Sequence, residues 1–182
     1  MALADSRVLV CGDRRWAWPG TVTAVLDRLA ARHGERLVVI EGAAAGADRA
    51  AHIWCERNGL GTNRHRCHPV DWQTARRTWP KTWRLAGPER NTRMLLQERP
   101  QLIIAFHSPL SFDSGGTSDM CLRGVMDDVP AWLVIGPDPD AGRWLRLEDF
   151  PQRRRERVGS ELTVARQTGP AVSCDNDASE TE

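Results

Sequence analysis

Four short stretches of the chain gather residue types that could hold an anion or a polar small molecule. They are Gly12-Asp13-Arg14-Arg15, Glu41-Gly42-Ala43-Ala44-Ala45-Gly46-Ala47-Asp48, Val70-Asp71-Trp72 and Ser114-Gly115-Gly116-Thr117. Small side chains let backbone N–H groups approach a ligand, and a helix start reached through such a turn favours phosphate. Thr117 would add a hydroxyl, and Arg14 or Arg90 a guanidinium. Trp16 or Trp72 could stack on a base, although a tryptophan beside a loop is more often core or cover. The stretch at 41–48 matches neither G-x-G-x-x-G nor a Walker A sequence. Taken alone, Gly42 and Gly46 could make nothing more than a tight strand-to-helix turn, with Asp48 charging the first turn of its helix.

The elements between these stretches give them a common rim. Leu37-Val38-Val39-Ile40 is an unbroken apolar run, as expected of a strand covered on both faces. Arg7-Val8-Leu9-Val10-Cys11, Leu102-Ile103-Ile104-Ala105-Phe106 and Ala131-Trp132-Leu133-Val134-Ile135 read the same way, and residues 62–67 form a weaker strand near an edge. Helical spacing follows Pro19 (Val22, Val25, Leu26, Leu29), runs through Ala50, Ala51, Ile53 and Trp54, and covers 88–100 and 117–127. Residues 73–87 lack periodicity and read as an irregular flap. Alternating strands and helices imply right-handed crossovers and a Rossmann-like three-layer αβα sandwich, its mostly parallel sheet of about five strands ordered 3-2-1-4-5. All four chemical stretches then leave carboxyl ends of strands, where open parallel sheets bind ligands. Residues 1–6 read as an N-terminal extension, 7–150 as the domain, and 151–182 as a charged tail too poor in apolar residues to fold.

Composition excludes several classes. The chain has 182 residues and a net charge of +1, enough for one cored domain and no general attraction to nucleic acid or membrane. No apolar run approaches the ~20 residues of a membrane span, and residues 1–7 lack a signal-peptide core. Five scattered cysteines without a CxxC pair read as free thiols, so the cytoplasm is the expected compartment. His65-Arg66-Cys67-His68 looks like a ligand cluster. On a strand, though, His65 and Cys67 share one face while His68 takes the other, and no partners are visible, so neither metal nor cofactor is expected. His52 and His107 read as ordinary side chains, His107 lying on the rim. Ser114 and Ser118 show no His/Asp arrangement of a nucleophile.

Val-Cys-Gly-Asp-Arg-Arg-Trp at 10–16, the stretch at 41–48, Val-Asp-Trp at 70–72, Gly-Pro-Glu-Arg-Asn-Thr-Arg-Met at 87–94 and Gly-Gly-Thr-Ser-Asp-Met at 115–120 follow one another in order. Together they resemble the signatures of the YspA/cpYpsA-related branch of the SLOG superfamily, over about residues 7–135. The resemblance implies a Rossmann-like fold and a nucleotide-like ligand. The superfamily includes the "lonely guy" phosphoribohydrolases, which release a base from nucleoside 5′-monophosphates, and DNA-processing proteins that bind single strands. Many members form dimers, so a homodimer is among the partners it implies. Arg90 with Asn91 matches the hydrolases' Arg-Lys-x-x-Met motif with Asn in place of Lys. Gly116 and Thr117 match their phosphate-binding Gly-Thr. Their catalytic Glu falls on Met120, with Asp119 the nearest carboxylate and Asp113, Asp13 or Glu41 the other candidates to replace it.

The resulting expectation is a domain that senses or processes a nucleotide-derived small molecule. Gly12, Asp13, Arg14, Gly42, Gly46, Asp48, Asn91, Gly115, Gly116 and Thr117 would bind it. The alternatives are a nucleotide N-glycosidase using Arg90 and Asp119 as catalytic residues, and a single-stranded DNA binder, which the charge balance disfavours.

Overall fold

The computed structural model describes residues 5–169. Its sheet has six strands in the order β3-β2-β1-β4-β5-β6. β1 (Ser6–Gly12), β2 (Leu37–Glu41), β3 (His65–Cys67), β4 (Leu102–Phe106) and β5 (Ala131–Val134) are parallel. The expected 3-2-1-4-5 order is therefore present. It is extended by an antiparallel edge strand, β6 (Gly142–Trp144), too short to leave a pattern in the sequence.

Side-chain alternation along β1 divides the core into two layers. Val8 and Val10 pack with Val22 and Leu26 of α1 (Pro19–His33) and with Ala51, Trp54 and Cys55 of α2 (Ala47–Arg57). On the other face Leu9 and Cys11 pack with three helices that follow α3 (Trp72–Thr78). These are α4 (Ala86–Glu98), α5 (Gly116–Met126) and α6 (Gln152–Thr168). Two helices on one face and three on the other make the three-layer sandwich.

Two expectations are corrected. The irregular flap contains α3, whose N-cap Asp71 accepts from the Thr74 N–H at 2.9 Å, and α4 begins at Ala86 rather than Pro88. An Asp cap compensates for the missing periodicity by satisfying an end donor. The tail expected to be disordered instead begins with the 17 residues of α6. Its Arg154, Val158 and Leu162 are buried at intervals of four, a stripe narrow enough to be hidden among arginines. Residues 1–4 and 170–182, including Cys174, lie outside the described residues. Cys11, Cys55 and Cys121 are buried and Cys67 exposed, all as free thiols. Among the described residues no helix is long and apolar enough to cross a membrane.

Candidate functional site

From β1 the chain turns to one face of the sheet and from β4 to the other, so a crevice opens between their carboxyl ends. A cavity of about 360 Å³ occupies it. Cys11, Gly12, Asp13, Arg14 and Arg15 line it from the end of β1, Ala44 and Asp48 from the next loop and α2. α4 contributes Arg90, Asn91 and Met94, the end of β4 His107, and α5 Gly116, Thr117 and Met120. Most of the expected ligand-binding residues thus meet in one wall. Gly42, Gly46, Gly115 and Asp119 are not in it.

Gly42 and Gly46 outside the wall, and Gly12 within it, stand where the backbone or a side chain approaches closely. Gly46 has φ +75, and a Cβ there would strike the Asp13 carbonyl and the Arg14 backbone. A Cβ on Gly42 would collide with the Arg90 guanidinium, and one on Gly12 would meet the Phe106 carbonyl and the Ala47 Cβ. These positions let the loops after β1 and β2 and helix α4 close on one another. Gly115 has φ +101 and caps α5 without a side-chain hydrogen bond. The first N–H groups of α5 are therefore left without an intrahelical acceptor beside Gly116 and Thr117.

Arg90 ties two loops together. It donates to the Gly42 carbonyl, to the His68 carbonyl at 3.3 Å, and through Nε to Asn91 Oδ1 at 3.1 Å. Burial pulls its pKa below the ordinary arginine value, and Asp48 opposes that pull. Asp48 is almost wholly buried and accepts from the Gly42 N–H at 3.0 Å. Burial pushes its carboxyl up to about 6; Arg90 opposes this and Glu41 adds to it. Since the Ala47 N–H also donates to the Asp13 carbonyl at 3.2 Å, the loop at 42–48 presents a carboxylate rather than a row of free amides. Asp13 closes its own turn, accepting from the Arg15 N–H at 2.9 Å.

Asp119 stands outside the wall. It accepts from Asn91 Nδ2 at 2.9 Å and from Arg123 Nε at 2.8 Å, so it positions Asn91 and pairs a buried guanidinium. Trp16 is buried, donating through Nε1 to the Trp18 carbonyl at 2.8 Å, and serves as cover. Trp72 packs edge-on against Trp83, with the Arg14 guanidinium 5.9 Å from its ring centre. His107, read from the sequence as ordinary, contributes an Nδ1 that is buried with no partner among the described residues. Its place directly after β4 was the only signal available.

Of the His65–His68 run, His68 turns to Glu98, with Nε2 at 2.8 Å from Oε1. His65 turns the other way, to Glu41, which also receives His52.

Glycine, carboxylate and guanidinium from the ends of β1 and β2 line one crevice. Residues 6–74 match the YspA, cpYpsA-related SLOG family. The SLOG match takes in the loops after β1 and β2 and the Asp71-Trp72 pair; Arg90, Asn91 and the start of α5 lie beyond it. A SLOG likeness points to nucleotide-related binding or processing in general. No curated protein and no solved structure matches the chain.

Proposed function

We propose that the cavity between β1 and β4 binds a nucleotide or nucleotide-derived small molecule, as a sensor or processing domain. One observation carries the reading. The uncapped start of α5 and three guanidiniums, those of Arg14, Arg15 and Arg90, share a 360 Å³ cavity with the carboxyl of Asp48. A phosphate suits the first, by N–H donation and charge. Sugar hydroxyls suit the second, because a carboxylate only accepts. The volume lies in the range of small-molecule sites. Phosphate accordingly belongs at Gly116 and Thr117, with the loop at 42–48 serving the sugar.

The test is the melting temperature against nucleoside mono-, di- and triphosphates, ADP-ribose and dinucleotides, with Arg14→Ala and Thr117→Val alongside. These two variants spare the internal ties of Arg90. A ligand at about 100 times its Kd adds roughly 2.7 kcal/mol of stability. One ligand class should raise the melting temperature, and both variants should shrink the rise. A flat panel for the unmodified chain overturns the proposal.

A hydrolytic reading is favoured by one feature, the Asp48 carboxyl held near 6 in the cavity, close to the pH at which acid–base catalysts work. It requires release of free base and sugar phosphate from the ligand so found, abolished by Asp48→Asn. Ligand recovered intact after long incubation leaves binding as the function.

A further inference from the structure

Away from the cavity wall, the carboxylate of Glu41 is fully buried and draws partners from three elements. His52 Nδ1 of α2 lies 2.9 Å and His65 Nε2 of β3 lies 3.0 Å from the same oxygen, Oε1. The Ala43 N–H donates to Oε2 at 2.5 Å. Across the sheet Glu41 is the register partner of Cys67, so the two side chains leave the same face. One ligand atom from each of Glu41, His52 and His65 falls within 4.8 Å of the others.

Behind His52, its Nε2 is 3.4 Å from Glu56 Oε1. With the proton on Nε2, toward that carboxylate, Nδ1 would be free to ligate, as at metal-bound imidazoles. A proton between Nδ1 and Oε1 accounts for their 2.9 Å contact in the metal-free chain, and a cation would displace it. Two imidazoles, a carboxylate and a thiol form the donor set of zinc and its d-block neighbours, whereas calcium and magnesium take oxygen alone. Ligands about 2.0–2.1 Å from a tetrahedral ion stand roughly 3.3 Å apart, a few tenths of an ångström beyond the present contacts. Side-chain rotation covers that difference.

We propose that Glu41, His52 and His65 bind one divalent ion of the zinc class, with Cys67 as the fourth ligand. The ion joins the edge strand β3 to β2 and α2 and fixes the root of the loop at 42–46. Its binding does not depend on the identity of the ligand in the cavity.

The full chain, stripped with a chelator, is titrated with Co²⁺ and then competed with Zn²⁺. One Co²⁺ per chain is expected, giving tetrahedral d–d absorption and a thiolate-to-cobalt charge-transfer band. Cys67→Ser should remove the charge-transfer band and keep the d–d bands. His52→Ala and His65→Ala should each weaken binding at least about 100-fold, more than the loss of an outer partner. His33→Ala should change nothing. Circular dichroism of the metal-free variants checks folding; if a histidine variant unfolds, the Cys67→Ser spectrum and a Zn²⁺-dependent rise in the parent's melting temperature decide. Failure of the parent to bind one equivalent, binding that survives both histidine substitutions, or a charge-transfer band that persists in Cys67→Ser overturns the proposal.

Discussion

Asp119 is 4% exposed, and its two strong partners, Arg123 and Asn91, belong to the scaffold around the cavity. Arg123 has a second anion, Glu161, and donates to Thr92 Oγ1 at 2.9 Å, so the guanidinium is fully engaged. Removing Asp119 leaves Glu161 as the remaining anion of Arg123 and takes a hydrogen bond from Asn91, at about 3 kcal/mol, the lower end for breaking a buried pair. Asp119→Ala should therefore lower the melting temperature by roughly 10 °C, seen by calorimetry. A variant of unchanged melting temperature that merely stops a reaction would return Asp119 to a catalytic role. Asp48 makes the opposite kind of prediction. Its folded pKa of about 6 lies above the unfolded value near 3.9, so the folded state holds the extra proton between those values. Stability tied to this group is present in acid and is lost as pH rises from about 4 to 6, by ~3 kcal/mol. Asp48→Asn removes the titration. Its stability relative to the parent should climb over that window and stay level above it, measured by urea denaturation at pH 4 to 8. A pH-independent difference would mean that Asp48 ionises as freely as an exposed aspartate.

Helix α6 contributes both core and positioning. Val158 and Leu162 complete the layer over β4 and β5. Leu162→Ala should cost about 2–5 kcal/mol in urea unfolding, against almost nothing if the segment were a solvated tail. Arg154 reaches past this layer, donating through Nη1 to the Phe112 carbonyl and to Ser118 Oγ, both at 2.7 Å. It thereby joins the loop after β4 to the first turn of α5. Arg154→Ala should weaken ligand binding at the α5 start although the residue does not line the cavity, a change that calorimetric titration would detect. The central strands were legible because a parallel sheet covered on both faces demands unbroken apolar runs, as in Leu37 to Ile40. The loops after β1 and β4 were legible by glycine beside charge at strand ends. Helix α6 was not, because a three-residue stripe among arginines resembles a solvated charge run. Nor was the inward turn of Asp48, which depends on the Gly42 amide and Arg90 arriving from elsewhere. Glu41, His52 and His65 meet across 11 and 24 residues of chain, and only the β2–β3 register and the pitch of α2 bring them together.

At the scale of the molecule, 25 basic and 24 acidic side chains leave a charge of +1, so attraction for anions is confined to places where geometry concentrates cations. Arg14, Arg15 and Arg90 line the cavity together, but Asp13 and Asp48 line it too. That balance suits a ligand with a few phosphates and some hydroxyls more than a continuous phosphate backbone. The two cases separate by salt. A single strand neutralised at about six phosphates loses affinity with a logarithmic slope near −4, a few hundred-fold between 50 and 200 mM. A small ligand seated on α5 and one or two guanidiniums should lose no more than about tenfold over the same range. Calorimetric titration of the ligand found in the thermal panel, at both salt concentrations and with a single-stranded oligonucleotide as competitor, distinguishes them. A shallow slope and no displacement are expected. A steep slope with displacement by the oligonucleotide would make the cavity one stop on a longer nucleic-acid track, and the surface arginines on either side of it the next residues to change.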